Sequence, residues 1–387
     1  MSGAWWIDEE DLLDEQLQVL GLDLDQHLLI EGPPGSGKTN LLLLRANHLH
    51  IAEQPEFYVV AFTGLLANFI KTGAKLYSFP KTKVTTQVKL YESVLADHGF
   101  AVPRGNNSEG FEGRKSALRE GVQKLMTSGK GKHSFPALFI DEAQDYDRFD
   151  LEAFFYLAKS VCLTADSRQG IYSRDEADHP WLRKQCGETV TLVHHYRTGK
   201  NILKVADRLM DGKLGHVPML PTSQYKEDDL PSSVDLVGPV ELGIQVTQTA
   251  ERLLRQLRAY PNETLGVLIP RKKEEFPIVW DMLCKIPAIN GLITNALSSD
   301  FDPTRPIWVS TIHSAKGLEF RCVHLLASDT ILKFTDHSRR VAFTAITRAK
   351  TALVIYFNEE LPPFLSAALA TKKDEKISVR KLFGKTS

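Results

Sequence analysis

Short apolar runs recur along this chain, each closed by a glycine-rich or acidic stretch. The first, at 27–30, stops at a glycine-rich loop, and a helical pattern follows at 40–49. Others lie at 57–63 (FYVVAFT), 137–140 (ALFI) and 161–164 (VCLT). Runs this short and continuously apolar read as strands buried on both faces, as in a parallel sheet. Their alternation with helical stretches predicts an α/β fold with helices on both faces of the sheet. A short amphipathic helix is predicted at 10–21. The series resumes with strand-like runs at 189–193, 234–237, 265–269, 307–311, 323–327 and 352–357. This predicts a second α/β domain, with domains at 1–186 and 187–371 and a basic tail at 372–387. The polar, glycine-bearing segments 103–115 and 219–233 read as surface loops.

Length and composition fit this picture. The 387 residues are 43% hydrophobic and 25% charged, and they contain no low-complexity tract. At ~100–200 residues per domain that allows two or three domains. The net charge of −1 means that a nucleic-acid partner would need a local basic groove. Cys162, Cys186, Cys284 and Cys322 form no CxxC pair, so no zinc site is expected and a cytoplasmic protein with reduced thiols is. The N-terminal stretch is acidic and lacks an apolar core, so no signal peptide is expected. The apolar run 41–44 is far too short to span a bilayer, which needs ~20 residues, so no membrane partner is expected.

The strand ends carry the candidate chemistry. GPPGSGKT comprises Gly32, Pro33, Pro34, Gly35, Ser36, Gly37, Lys38 and Thr39, and it fits G-x-x-x-x-G-K-[ST] between a strand and a helix. Such a loop turns backbone N–H groups and a helix N-terminus toward phosphates. Lys38 would reach the β- and γ-phosphates, and Thr39 would bind Mg²⁺. Asp141 and Glu142, after the 137–140 run, fit a metal carboxylate and a residue that activates water. Taken alone they also fit an acidic helix start, a reading that the phosphate loop makes the lesser one. Arg197 and Arg348 are the candidates for bringing positive charge to the transferring phosphoryl group, an effect of ~10³–10⁵ in rate where such a finger acts.

The ordered motif series resembles the superfamily 1 helicases of the UvrD/Rep/PcrA type. VVAFTGLLA, LFIDEAQDY, LVHHYRTGKNIL, VSTIHSAKGLEF and RRVAFTAITRAK resemble successive family motifs, and LTADSRQGIY does so more loosely. The resemblance implies two RecA-like P-loop domains with ATP and Mg²⁺ bound in the cleft between them. Carried over by position, it implies that Gln16 reads the adenine edge and that Tyr196 stacks on the ring. Gln169 would sense the γ-phosphate, Glu319 would contact the nucleotide from the second domain, and Asn40 would follow the phosphate loop in the same site. Phe62, Thr63, Tyr172 and His313 match positions that contact single-stranded DNA. Phe62 and Tyr172 also read as plain core aromatics.

Several positions depart from the family pattern. Arg174 stands where a base-stacking tryptophan is usual, and Thr85-Thr86-Gln87 stands for Thr-Phe-His. The spacing between Lys38 and Asp141, and between 269 and 309, leaves no room for the family's large accessory domains. The expected activity is therefore an ATP-dependent single-stranded-DNA translocase or helicase, 3′→5′ by resemblance. The rival reading is a DNA-sensing accessory ATPase that serves a partner such as a nuclease. RNA in place of DNA stays open, because contacts to phosphates and base faces do not report the 2′-OH. A small-molecule kinase would have no use for Arg348 or the 311–320 segment.

Overall fold

A computed structural model of the protein describes residues 12–52, 56–73, 77–103, 110–166, 178–213, 216–298, 300–332 and 335–370. Within these, two six-stranded sheets form. The first contains β1 (Leu28–Glu31), β2 (Phe57–Ala61), β3 (Val84–Thr86), β4 (Phe135–Ile140), β5 (Ala158–Ala165) and β6 (Glu188–Thr191), in the order β3-β2-β4-β5-β1-β6. The second contains β7 (Ser233–Val237), β8 (Leu265–Ile269), β9 (Ile293–Asn295), β10 (Ile307–Thr311), β11 (Phe320–Leu325) and β12 (Ala349–Tyr356), in the order β7-β12-β11-β8-β10-β9. Every pairing is parallel. Inner strands such as β1 and β8 are buried along their whole length, which explains sequences that are apolar but for Glu31.

The two-sheet α/β expectation holds, with corrections in detail. The run expected to open the second domain at 189–193 instead forms β6, which pairs in register with β1 from Leu28↔Glu188 to Glu31↔Thr191. A boundary at 186/187 would cut this edge strand from its sheet. The chain changes sheets only over 192–199. The next helix, Lys200–Met210, packs on β7, β12 and the helices Asp336–Ile346 and Pro363–Leu369. The short edge strands β3 and β9 gave no legible apolar run. Part of the expected loop 103–115 is helical, because Gly110–Thr127 forms a helix that buries Leu118, Val122 and Leu125 at helical spacing. The basic tail, Gln169, Tyr172 and Arg174 lie outside the described residues.

Three helices position the candidate site. Helix α1 (Asp14–Gly21) lies beside the phosphate loop, α2 (Lys38–Ile51) follows that loop, and α3 (Gly64–Gly73) follows β2. Arg45 of α2 is buried and donates to the carbonyls of Val19 (2.7 Å), Leu22 (2.9 Å) and Asp23 (2.6 Å), tying down the end of α1. Leu65, Leu66 and Ile70 of α3 share one apolar cluster with Trp308, Ile312 and Ala315 from the second sheet and the loop after it. Across the same boundary the Phe69 and Trp308 rings meet edge to face at 5.8 Å. No described helix is long and apolar enough to cross a membrane.

Candidate active site

β1 delivers the chain to the glycine loop, and the Gly32 N–H donates to the Ala165 carbonyl at the end of β5 (3.3 Å). The loop then folds tightly enough to need left-handed backbone at Gly35 (φ 76°) and Gly37 (φ 89°). A Cβ at Gly37 would also sit 2.8 Å from Gln16 Nε2, so α1 closes directly over this point. Lys38 Nζ donates to the carbonyls of Gly32 (2.8 Å) and Pro33 (2.9 Å), which holds the ammonium across the loop mouth. Ser36 Oγ is buried and has no hydrogen-bond partner among the described residues. An unpaired buried hydroxyl costs ~1–3 kcal/mol, so the loop suits a ligand rich in acceptor oxygens.

Sheet register builds the carboxylate half of the site. β5 lies between β1 and β4, with Ile30↔Thr164 on one side and Ile140↔Leu163 on the other. Thr164 therefore stands beside Asp141, the first residue past β4. Its hydroxyl donates to Asp141 Oδ1 and accepts the Glu142 N–H at 3.2 Å. Thr39 Oγ1 donates to Asp141 Oδ2 at 3.0 Å. Burial, and then the neighbouring Glu142 charge, raise the Asp141 carboxyl to about 6, against the hydrogen bonds from Thr164 and Thr39 and the charge of Lys38. Glu142 itself adopts left-handed backbone (φ 56°), uncommon for a non-glycine residue and characteristic of functional turns. Gln144 donates to Glu142 Oε2 and accepts the Asp166 N–H (3.0 Å), so the side chain that holds the Glu142 carboxylate is itself fixed by backbone.

The second sheet faces this half-site with the loop between β10 and β11 and the residue before β12. Glu319 and Arg348 thus lie at the amino ends of β11 and β12, opposite to the strand-end rule that places Gly32 and Asp141. One cleft is lined by Pro34, Gly35, Gly37, Lys38, Thr39, Glu142, Arg197, Gly317, Glu319 and Arg348. Arg197 Nη1 lies 3.2 Å from Glu319 Oε2. Burial alone would raise the Glu319 carboxyl, but the charges of Arg197, Lys350 and Arg348 outweigh it and hold it below its usual value. Arg348 is oriented by the carbonyls of Thr344 (3.2 Å) and Leu318 (2.9 Å). Burial lowers Lys350 to about 8, partly offset by Glu319.

Two further contacts bind the halves together. Lys316 Nζ lies 2.6 Å from Asp145 Oδ2 and 2.7 Å from Oδ1, with both side chains buried. Gly317 (φ 80°) approaches α3 so closely that a Cβ would meet Leu66 Cδ2 at 2.7 Å.

At the other end of the loop, Gln16 Nε2 donates to the Ser36 carbonyl (3.0 Å), and the Tyr196 N–H donates to the Gly35 carbonyl (3.3 Å). The Tyr196 hydroxyl donates to Glu15 Oε1 at 3.3 Å.

The structure thus brings Glu142, Arg197, Glu319 and Arg348 to one cleft with the phosphate loop, and bonds Gln16 and Tyr196 to that loop and Asp141 to Thr39. Asn40 is set differently: its side chain is buried and accepts the Tyr77 hydroxyl (3.0 Å) within the first domain. Phe62 is half-buried against Tyr146 (5.1 Å, edge to face), which makes its packing role concrete. Thr63 Oγ1 accepts the Leu66 N–H (3.1 Å) and caps α3. His313 is half-buried, with its ring 6.3 Å from that of His337; burial, then His337 and Lys316, lower its pKa. Sequence reasoning missed Thr164, Gln144, Lys316 and Asp145. All four stood inside quoted motifs, but the role of Thr164 follows only from sheet register.

Residues 306–356 match the family model described as the UvrD-like helicase C-terminal domain. The stretch reaches from the start of β10 to the end of β12 and contains Lys316, Glu319 and Arg348. This stretch of the chain is therefore similar to that domain, in agreement with the resemblance drawn from the motifs. Among solved structures, it is similar to the C-terminal domain of a possible DNA helicase from Lactobacillus plantarum WCFS1, at 18% identity and TM-score 0.33 over 45% of this chain and 93% of that one. It is also similar to the PRRSV helicase, at 16% identity and TM-score 0.40 over 88% of this chain and 54% of that one. No curated protein matches it.

Proposed function

We propose that the protein is an ATP-dependent motor that moves on single-stranded nucleic acid, DNA by resemblance and in the 3′→5′ direction. The observation that carries this reading is the composition of the cleft. Lys38, Thr39 and Glu142 come from the first domain, Glu319 and Arg348 from the second, and Arg197 from the segment that joins them. A kinase acting on small molecules needs only the first set. A site completed by a second domain lets the state of the nucleotide bias the relation of the two sheets.

Thr39 and Asp141 would hold Mg²⁺, and among the described residues no cluster of three or more His, Cys, Asp or Glu competes for it. One hydroxyl and one carboxylate suffice for an ion that takes its other ligands from phosphate oxygens and water. When bound, the ion neutralises charge on the phosphates. Glu142 accepts a proton from the attacking water, with its carboxylate oriented by Gln144. Lys38, Arg197 and Arg348 oppose the negative charge that develops on the transferring phosphoryl group.

The test is steady-state ATP hydrolysis by purified protein, with and without single-stranded DNA, beside Glu142→Gln. We expect stimulation by DNA and a loss of at least about 10²-fold in turnover in the variant. ATP binding without stimulation would sink the free-standing motor.

A further inference from the structure

Glu15 does more hydrogen-bonding than a residue in the first turn of a surface helix requires. Its Oε2 accepts the Val193 N–H and its Oε1 the His194 N–H, each at 3.2 Å. Oε1 also accepts the Tyr196 hydroxyl at 3.3 Å, and Oε2 lies 3.3 Å from His194 Nδ1. All four partners lie on 192–199, the stretch where the chain passes from one sheet to the other. Burial and then Glu15 raise the Tyr196 phenol.

The helix that carries Glu15 is itself fixed at two further points. Its next residue, Gln16, binds the Ser36 carbonyl of the phosphate loop, and Arg45 holds its end. A carboxylate that accepts two backbone N–H groups in succession sets the path of that backbone. By adding the phenol it also sets the rotamer of Tyr196, whose own N–H reaches the Gly35 carbonyl. A nucleoside triphosphate with its phosphates over Gly35–Thr39 must direct its base out of the loop, and Gln16 and Tyr196 are bonded to that loop at Ser36 and Gly35.

We propose that Glu15 is a positioning residue for nucleobase recognition: it locks Tyr196 and the inter-sheet segment into one arrangement against α1. This rests on the nucleotide-binding reading of the cleft. The base-binding face is then built where the domains join, so recognition of the base and placement of the second domain share one set of hydrogen bonds.

The test compares ATP with inorganic tripolyphosphate, which has the phosphates but no base, by titration calorimetry with Mg²⁺ on the full chain. Wild type, Glu15→Ala and Glu15→Gln are measured, with circular dichroism confirming the fold. Wild type should bind ATP more tightly than tripolyphosphate. Glu15→Ala should weaken ATP about tenfold and leave tripolyphosphate within about twofold. Glu15→Gln, which keeps one acceptor oxygen, should fall between. Equal weakening of both ligands would make Glu15 a plain structural brace, and unchanged ATP affinity would make it idle. Either result overturns the proposal while leaving the nucleotide site intact. Failure of wild type to bind either ligand would instead remove the nucleotide reading itself.

Discussion

At the scale of single residues, the chemistry depends on a hydroxyl that the motif around it does not single out. Thr164 stands one strand away from both the glycine loop and the carboxylates, and its hydroxyl touches Asp141 and the Glu142 N–H together. Thr164→Val keeps the shape and removes both bonds. Two buried groups then lose a partner, at ~1–3 kcal/mol. The expected outcome is turnover reduced about tenfold with KM for ATP within about twofold, because Lys38 and the loop backbone are untouched. An unchanged kcat would show that the Asp141–Thr39 contact alone orients the pair. Lys38, Thr39, Asp141 and Glu142 were legible because loop and helix geometry fix their spacing in sequence. Thr164 was not, because its place comes from which strands pair, and pairing is absent from local sequence. Asn40 shows the converse. Being next to the motif suggested the site, but the 3.6-residue period turns its side chain back to Tyr77.

At the scale of elements, α3 is the piece whose meaning changes most on folding. Its sequence reads as an ordinary helix after a strand, and the structure makes it the apolar bridge between domains, with Leu66 against Gly317 and Phe69 against Trp308. The Leu66–Gly317 contact can be tested by a double-mutant cycle. Leu66→Ala should cost ~2–5 kcal/mol, since the side chain is fully buried. Gly317→Ala should also destabilise, both through its left-handed backbone and through the 2.7 Å clash with Leu66. Combined, the new methyl enters the space that Leu66 leaves, so the double variant should be less damaged than the sum by at least ~1 kcal/mol in urea unfolding. Strict additivity would mean that the two do not touch in solution. Inner strands such as β8 were readable to the residue, because burial on both faces makes the sequence continuously apolar. β6 was readable as a strand but not as a member of the first sheet, since an edge strand carries the same pattern whichever sheet it joins.

At the scale of the whole molecule, the question is what holds the two sheets in register across the cleft. The apolar contacts of α3 are not directional and would tolerate sliding. The Lys316–Asp145 pair is directional, fully buried, and joins the DEAQD box to the 311–320 loop. Its net contribution to stability need not be large, because desolvating both charges offsets much of their attraction. Removing one partner is different. Lys316→Met takes the cation away from the buried Asp145 carboxylate and should cost ~3–5 kcal/mol. Lys316→Met with Asp145→Leu removes both charges and should recover most of that loss. If the pair only fills space, the double variant will hydrolyse ATP and respond to single-stranded DNA as wild type does. If it sets the register that brings Arg348 and Glu319 over the phosphate loop, melting will return to near the wild-type temperature while DNA stimulation does not. We expect the second result. Both domains would then be sound and only their relation lost, which is the failure that a motor shows and a single-domain phosphotransfer enzyme does not.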